Sequence, residues 1–245
     1  MQTYKLKLIY DGSAYKGWQR QVTTDKTIQG ILEKTISDIC GYQVEVDGSG
    51  RTDGGVHSKG QTASVELKRI VNPEEFKSDI NERLPEDIKV SEVEKMRKSF
   101  HARYDAKGKH YSYTVDTNEK ANVFIRKYAY HLPCDIKIEE MKRAADYLIG
   151  QHDYSAFTDL KDETKSRNRY IEKITITKNK SIIRLDFYGN GFLYHMVRIL
   201  TGTLLEAGRG IKSPEEVKQI LKSKDRSKAG GLVPAKGLVL EEVYY

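Results

Sequence analysis

Cysteine is scarce in this sequence: Cys40 and Cys134 are the only two in 245 residues. They lie far apart, and no histidine cluster stands beside them at metal-ligand spacing, so neither a disulfide framework nor a zinc site is indicated. Long apolar runs are also missing. Met1-Gln2-Thr3-Tyr4-Lys5-Leu6-Lys7 holds no stretch of signal-peptide length, and no segment approaches what is needed to span a bilayer. The expectation is a soluble, unprocessed, cytoplasmic chain with no membrane association. Tryptophan occurs once, against sixteen tyrosines, so most of the aromatic content can stack and still donate a hydrogen bond.

What is present is basic charge. Lys and Arg number 42 against 35 Asp and Glu, a formal charge of +7 that suits a polyanionic partner. The length allows one large domain or two small ones, either able to bury a core.

The hydrophobic pattern repeats itself. Tyr4, Leu6, Leu8 and Tyr10 alternate as a strand, and Ile28, Ile31, Leu32, Ile36 and Ile39 recur at helical spacing until Gly41. Strands are expected at 43–46, 63–67 and 88–93, with a helix capped by Asn72-Pro73-Glu74-Glu75 and running to about Arg83. The second half gives a strand at 109–115, a helix from Ile138 to Ile149 stopped by Gly150, and strands at 171–177 and 182–187 turned by Asn179-Lys180. It continues with a helix beginning near Phe192, a second helix capped by Ser213-Pro214-Glu215-Glu216, and a last strand at 238–243. Each half reads βαββαβ. The expected fold is α+β: two ferredoxin-like units (1–104 and 105–245) with antiparallel sheets, helices on the sheet faces and an active-site cleft between the units.

The most informative stretch is Gly50-Arg51-Thr52-Asp53-Gly54-Gly55-Val56-His57, followed by Gly60-Gln61. Three glycines in eight residues allow unusual backbone shapes and leave Asp53 as the side chain exposed to an approaching ligand, two residues from the Arg51 guanidinium. A turn joining two strands would have the same composition. The segment, however, closely resembles the active-site loop of the tRNA pseudouridine synthase A family.

Further segments carry the same resemblance in the same order. Tyr10 to Gln21 includes Trp18-Gln19-Arg20 and resembles the segment after that family's first strand, where Phe is usual in place of Tyr15. Lys109-His110-Tyr111-Ser112-Tyr113 matches a basic-x-Tyr-x-Tyr pattern, and Phe192-x-x-x-Met196-Val197-Arg198 with Gly202 matches another. Gly237 to Tyr244 is similar to the family's last strand. The departures are Gly54 where Ala, Lys or Ser is usual, Ser58 for Ala and Thr62 for Val.

The resemblance implies an isomerase that converts uridine to pseudouridine at positions 38, 39 and 40 of the tRNA anticodon stem-loop, as a homodimer and without metal or cofactor. It makes Asp53 the catalytic nucleophile, Arg198 its carboxylate partner and Arg51 an assisting cation. Tyr111 lies against the target base, and Leu238, Trp18, Gln19 and His57 contribute to substrate binding; Tyr113 is assigned to packing. The competing readings are a non-catalytic RNA-binding protein, which leaves the carboxylate unexplained, and a metal-dependent nuclease or phosphatase, which needs several convergent carboxylates or histidines.

Overall fold

The computed structural model describes residues 1–245 and is α+β. The chain divides into two compact units, Met1–Lys107 with Val239–Tyr245, and Gly108–Leu238.

In the first unit, β1 (Gln2–Tyr10) is followed by α1 (Ile28–Cys40), β2 (Val46–Gly48), β3 (His57–Leu67), α2 (Pro73–Asn81) and β4 (Ile88–Lys95). β1 pairs antiparallel with both β3 and β4, and β2 pairs antiparallel with β3, giving the order β4-β1-β3-β2. β1 and β2 thus run parallel with β3 between them, the arrangement of a split βαβ. Alternation decides which face is covered: Tyr4, Leu6 and Leu8 are buried against Ile28, Leu32 and Ile36 of α1 and Phe76 and Ile80 of α2. Each such aliphatic side chain contributes about 1.5–3 kcal/mol. Thr27 caps α1 by accepting the Gly30 N–H, and Gly41, at φ 75°, ends it. Asn72 caps α2 by accepting the N–H groups of Glu74 and Glu75.

The second unit contains β5 (Gly108–Asp116), β6 (Tyr130–His131), α3 (Ile138–Asp146), β7 (Gly150–Asp153), β8 (Asn168–Asn179), β9 (Ile182–Gly189), α4 (Met196–Gly208) and α5 (Pro214–Ser223). Its sheet order is β5-β9-β8-β7, antiparallel throughout, with β6 beside β5 in parallel. Tyr113, Val115, Leu185 and Phe187 fill its core with Met141 of α3 and Ile199 of α4. Ser213 and Glu216 form the reciprocal capping box of α5. The last strand, β10 (Leu238–Tyr244), returns to the first unit, where Val239 and Leu240 pair in parallel with His57 and Ser58.

Three of the boundaries that differ from the sequence expectation do so because a side chain captures backbone groups. The strand placed at 43–46 starts only at Val46, since the Ser37 hydroxyl accepts the Val44 N–H. The helix expected to reach Ile149 stops at Asp146: the Tyr154 hydroxyl bonds the carbonyls of Leu148 (2.7 Å) and Gly150 (3.1 Å), and Gly150 opens β7. The helix expected near Phe192 begins at Met196, because His195 adopts a left-handed backbone (φ 61°) with its Nδ1 2.7 Å from the Asp159 carboxylate.

Candidate active site

Asp53 sits half-buried in the segment joining β2 to β3, as the order of elements predicts. That segment has few ladder bonds of its own, so its shape depends on what grips it. Gln61, fully buried on β3, holds the first arm: its Nε2 donates to the Gly50 carbonyl (3.0 Å) and its Oε1 accepts the Ser49 hydroxyl (2.7 Å). Tyr10 at the end of β1 meets the Thr52 hydroxyl at 2.8 Å, and the Trp18 N–H donates to the Thr52 carbonyl at 3.0 Å. Beyond Asp53, the Val56 N–H returns to the Asp53 carbonyl (3.2 Å) and the Gly55 N–H reaches the Tyr15 carbonyl (3.3 Å). The backbone on both sides of Asp53 is therefore fixed.

Two glycines make this packing possible. A side chain at Gly12 would run into the Val56 carbonyl. At Gly17, φ is +102° and a Cβ would lie 2.7 Å from the Thr52 carbonyl. Gly54 is different, since a Cβ there finds nothing nearer than 3.4 Å.

Arg51 is held by a relay into the interior. Its Nε donates to Gln19 Oε1 (2.9 Å), Gln19 donates to Gln29 (2.7 Å), and Gln29 donates to Glu33 (3.1 Å) and to the Val46 carbonyl (2.9 Å). Glu33 also receives Arg20 at 2.9 Å and the Val46 N–H at 3.1 Å. Burial raises the Glu33 carboxyl pKa, against the lowering effect of the Val46 N–H, Arg20 and Gln29. Gln19, expected at the substrate, is thus the side chain that orients Arg51.

Trp18 and His57, expected at the substrate, are both buried. Trp18 is 2% exposed and packs so closely over Gly48 that a Cβ there would meet the indole at 2.5 Å. Its ring supports the loop from beneath and offers no face to a base. His57 is buried, and its Nδ1 accepts the Gly12 N–H at 3.1 Å. The same nitrogen lies 3.1 Å from Asp11 Oδ1, but an accepting nitrogen has no proton to give a carboxylate, so the backbone bond describes its role. The Tyr15 hydroxyl, absent from the usual Phe, donates to Asp87, and burial together with that carboxylate pushes its phenol up.

The remaining expected site residues lie in the second unit. Tyr111 on β5 is 7% exposed and meets Phe192 edge to face at 5.3 Å. Tyr113, two residues on, is buried with its hydroxyl on the Pro234 carbonyl at 2.7 Å. Arg198 stands in the first turn of α4, half-buried, and its Nε donates to the Val233 carbonyl at 2.8 Å. Burial raises the Tyr113 phenol, opposed by the Arg198 charge. Leu238 is buried at the start of β10.

The sequence reading missed the buttresses: Gln61, Tyr10 and Gln29–Glu33 in the first unit, and Asp159 in the second. Asp159 accepts both His195 (2.7 Å) and Arg226 (2.9 Å). Burial alone would raise its carboxyl, but those two partners outweigh it and hold the pKa below the usual carboxylate range. Gln61 had a signal as half of the Gly60-Gln61 pair, and Tyr10 as the start of the Tyr10 to Gln21 segment; the others had none. No group of three or more His, Cys, Asp or Glu side chains is arranged to hold a metal ion, and no helix is long and apolar enough to cross a membrane. What the first unit presents is one carboxylate, Asp53, on a braced loop that also carries the Arg51 guanidinium oriented by Gln19.

Known proteins resemble the chain over its whole length. A protein of Bacillus sp. (strain KSM-64) named tRNA pseudouridine synthase A is 44% identical, and one of the same name from Clostridium kluyveri is 45% identical, each match covering 100% of both chains. A tRNA pseudouridine synthase A 2 from Bacillus anthracis is 39% identical over the same span. The family model described as tRNA pseudouridine synthase matches residues 8–105 and 144–245, taking in the Asp53 loop and the Arg198 helix. By that match and those identities, the chain belongs to the tRNA pseudouridine synthase family.

Proposed function

We propose that the protein isomerises uridine to pseudouridine in tRNA, with Asp53 as its nucleophile. The observation that carries the reading is the Asp53 loop itself, which bears a single carboxylate and is gripped at Gly50 and Thr52 by Gln61, Tyr10 and the Trp18 backbone within a chain of this family. The reaction breaks the bond from N1 of uracil to C1′ of the ribose, turns the base and joins C5 to C1′, with loss of the C5 proton and protonation of N1. A carboxylate supports it by attack at C1′ or C6, or by taking the C2′ proton on a glycal route. A fixed loop suits any of the three, because the carboxylate must hold its position while the base turns.

The other roles rest on the motif likeness. Arg198 is assigned as the carboxylate's counter-ion: excluding water raises a carboxyl by up to ~3–5 units, and one adjacent guanidinium offsets roughly 1–3 of them. Tyr111 is assigned to stack on the flipped uracil, returning about 1–3 kcal/mol against an unstacking cost of about a few kcal/mol. Arg51, oriented by Gln19, is placed to meet a phosphate or the flipped nucleotide, and Leu238 lines the base pocket. We further propose positions 38, 39 and 40 of the anticodon stem-loop as targets, two domains (1–104 and 105–245) of ferredoxin-like type, a homodimer and a cytoplasmic location, with no metal or cofactor in the reaction.

The test is tritium release from unmodified tRNA labelled at uridine C5, with a chelator present, for the unaltered protein and Asp53→Asn. Release by the first alone, with tRNA binding kept by both, supports the proposal. A folded, tRNA-binding protein that releases nothing would be a binder without this chemistry.

A further inference from the structure

The turn after β4, Phe100 to Asp105, carries an aromatic ring that the proposed chemistry does not use. Tyr104 is 76% exposed, although tyrosine is among the side chains that gain most from burial. Its ring lies 4.3 Å from that of His101, and the Arg103 guanidinium stands 5.9 Å from the Tyr104 ring centroid.

The group is held in place before any ligand arrives. Asp105 clasps the turn, with Oδ2 accepting the His101 N–H and Oδ1 accepting Arg97, each at 2.9 Å. The Arg103 N–H donates to His101 Nδ1 at 3.0 Å, which fixes the imidazole against the backbone. With Nδ1 accepting, the other nitrogen carries the ring proton, and it lies 3.6 Å from Asp47 on β2, the strand that runs into the Asp53 loop. Below the turn, the Tyr245 hydroxyl donates to the Ala102 carbonyl (2.6 Å) and the Ala102 N–H to Ser64 (3.1 Å). A turn backbone and a backing imidazole positioned this firmly lose little further freedom on binding.

The surroundings say what it binds. From Lys95 to Lys107 the chain carries Lys95, Arg97, Lys98, Arg103 and Lys107 against one carboxylate, Asp105. Over the same stretch Tyr104 is the one large apolar side chain exposed, so there is no aliphatic patch of the kind a protein partner would cover. An exposed ring with the Arg103 guanidinium beside it, on a stretch of net positive charge, fits an unpaired base with its phosphates.

We propose that Tyr104, backed by His101 and flanked by Arg103, is a platform on which bound tRNA stacks an unpaired base other than the one being isomerised. The proposal rests on the reading of the protein as a tRNA pseudouridine synthase. Its position on the rim of the turn makes it a binding element with no part in the bond changes at uridine.

The test pairs equilibrium binding of an unmodified tRNA transcript with steady-state tritium release. Tyr104→Ala should raise Kd and KM about 5- to 100-fold and leave kcat within about twofold. Tyr104→Phe and Tyr104→Trp should restore binding, and Arg103→Gln should lower the slope of log Kd against log salt by about one. Thermal melts of all four variants should match the unaltered protein, because the ring is exposed. Unchanged tRNA affinity in Tyr104→Ala overturns the proposal, as does equal damage from Tyr104→Phe, or an altered association state with normal RNA binding. If the unaltered protein binds tRNA but releases no tritium, and Tyr104→Ala still loses affinity, the platform stands and the assignment of the reaction falls.

Discussion

The phenolic oxygen of Tyr10 lies 2.8 Å from the hydroxyl of Thr52, tying the end of the central strand to the residue before Asp53. Burial pushes the Tyr10 phenol up to about 12, outweighing the lowering effect of the Thr52, Gln61 and Ser58 side chains, so it stays a neutral donor and acceptor at any working pH. Tyr10→Phe leaves a buried threonine hydroxyl short of a partner, at about 1–3 kcal/mol. We expect lower thermal stability and a fall in single-turnover pseudouridine formation, with tRNA affinity little changed. Equal loss of affinity and rate would mean that the bond supports the whole unit instead of the aspartate loop.

Two glycines near Asp53 should respond in opposite ways to alanine. Gly54 has no positive φ and room for a Cβ, so Gly54→Ala should be neutral or stabilising by up to about 0.4–1 kcal/mol through the unfolded chain. Gly17→Ala combines φ +102° with a Cβ 2.7 Å from the Thr52 carbonyl and should destabilise by more than about 1 kcal/mol. Urea titrations of the two variants decide the matter, and similar midpoints would sink it.

Gln61→Leu keeps the volume of a fully buried side chain and removes its bonds to Ser49, Gly50 and the Thr62 N–H. The expected result is a loss of about 1–3 kcal/mol and faster amide exchange confined to the loop between β2 and β3. Exchange that speeds up uniformly across the first unit would contradict this local role.

Acid should act on the second unit through Asp186, which is buried between Arg184 Nε (2.9 Å) and His110 (2.7 Å). Burial alone would raise its carboxyl, but Arg184 and His110 overcome this and hold the pKa below the usual range. A carboxylate depressed in the fold stabilises it above the unfolded value of about 3.9 and loses that contribution as pH falls through the folded one. Asp186→Asn should therefore be less stable at pH 7 and lose less on going below about pH 4. Urea midpoints followed by circular dichroism at both pH values test this; parallel losses in the two proteins would assign the acid sensitivity elsewhere.

The residues that could be read in advance were those whose signal is local. Alternation at Tyr4, Leu6 and Leu8, the capping pairs at Asn72 and Ser213, and the glycine-rich run around Asp53 all announce themselves within a few positions. The Arg51–Gln19–Gln29–Glu33 relay does not, because its members are polar residues whose burial depends on how α1 lies on the sheet. The burial of Trp18 was equally hard to read: an aromatic beside Gln19 and Arg20 has the composition of a surface loop, yet Gly48 opens a slot that takes the indole into the core. His195 showed no backbone signal either, since its left-handed conformation is set by Asp159, thirty-six residues earlier.

The parallel pairing of β10 with His57 and Ser58 bears on how the chain is made. The strand that flanks the start of β3, just past the Asp53 loop, leaves the ribosome only after the whole of the second unit, a wait of about ten seconds at roughly 5–20 residues per second. Through that interval the nascent first unit has an open strand edge beside its aspartate loop, and a chain stalled before Val239 keeps it open. The arrival of β10 thus seals the element on which the proposed chemistry depends.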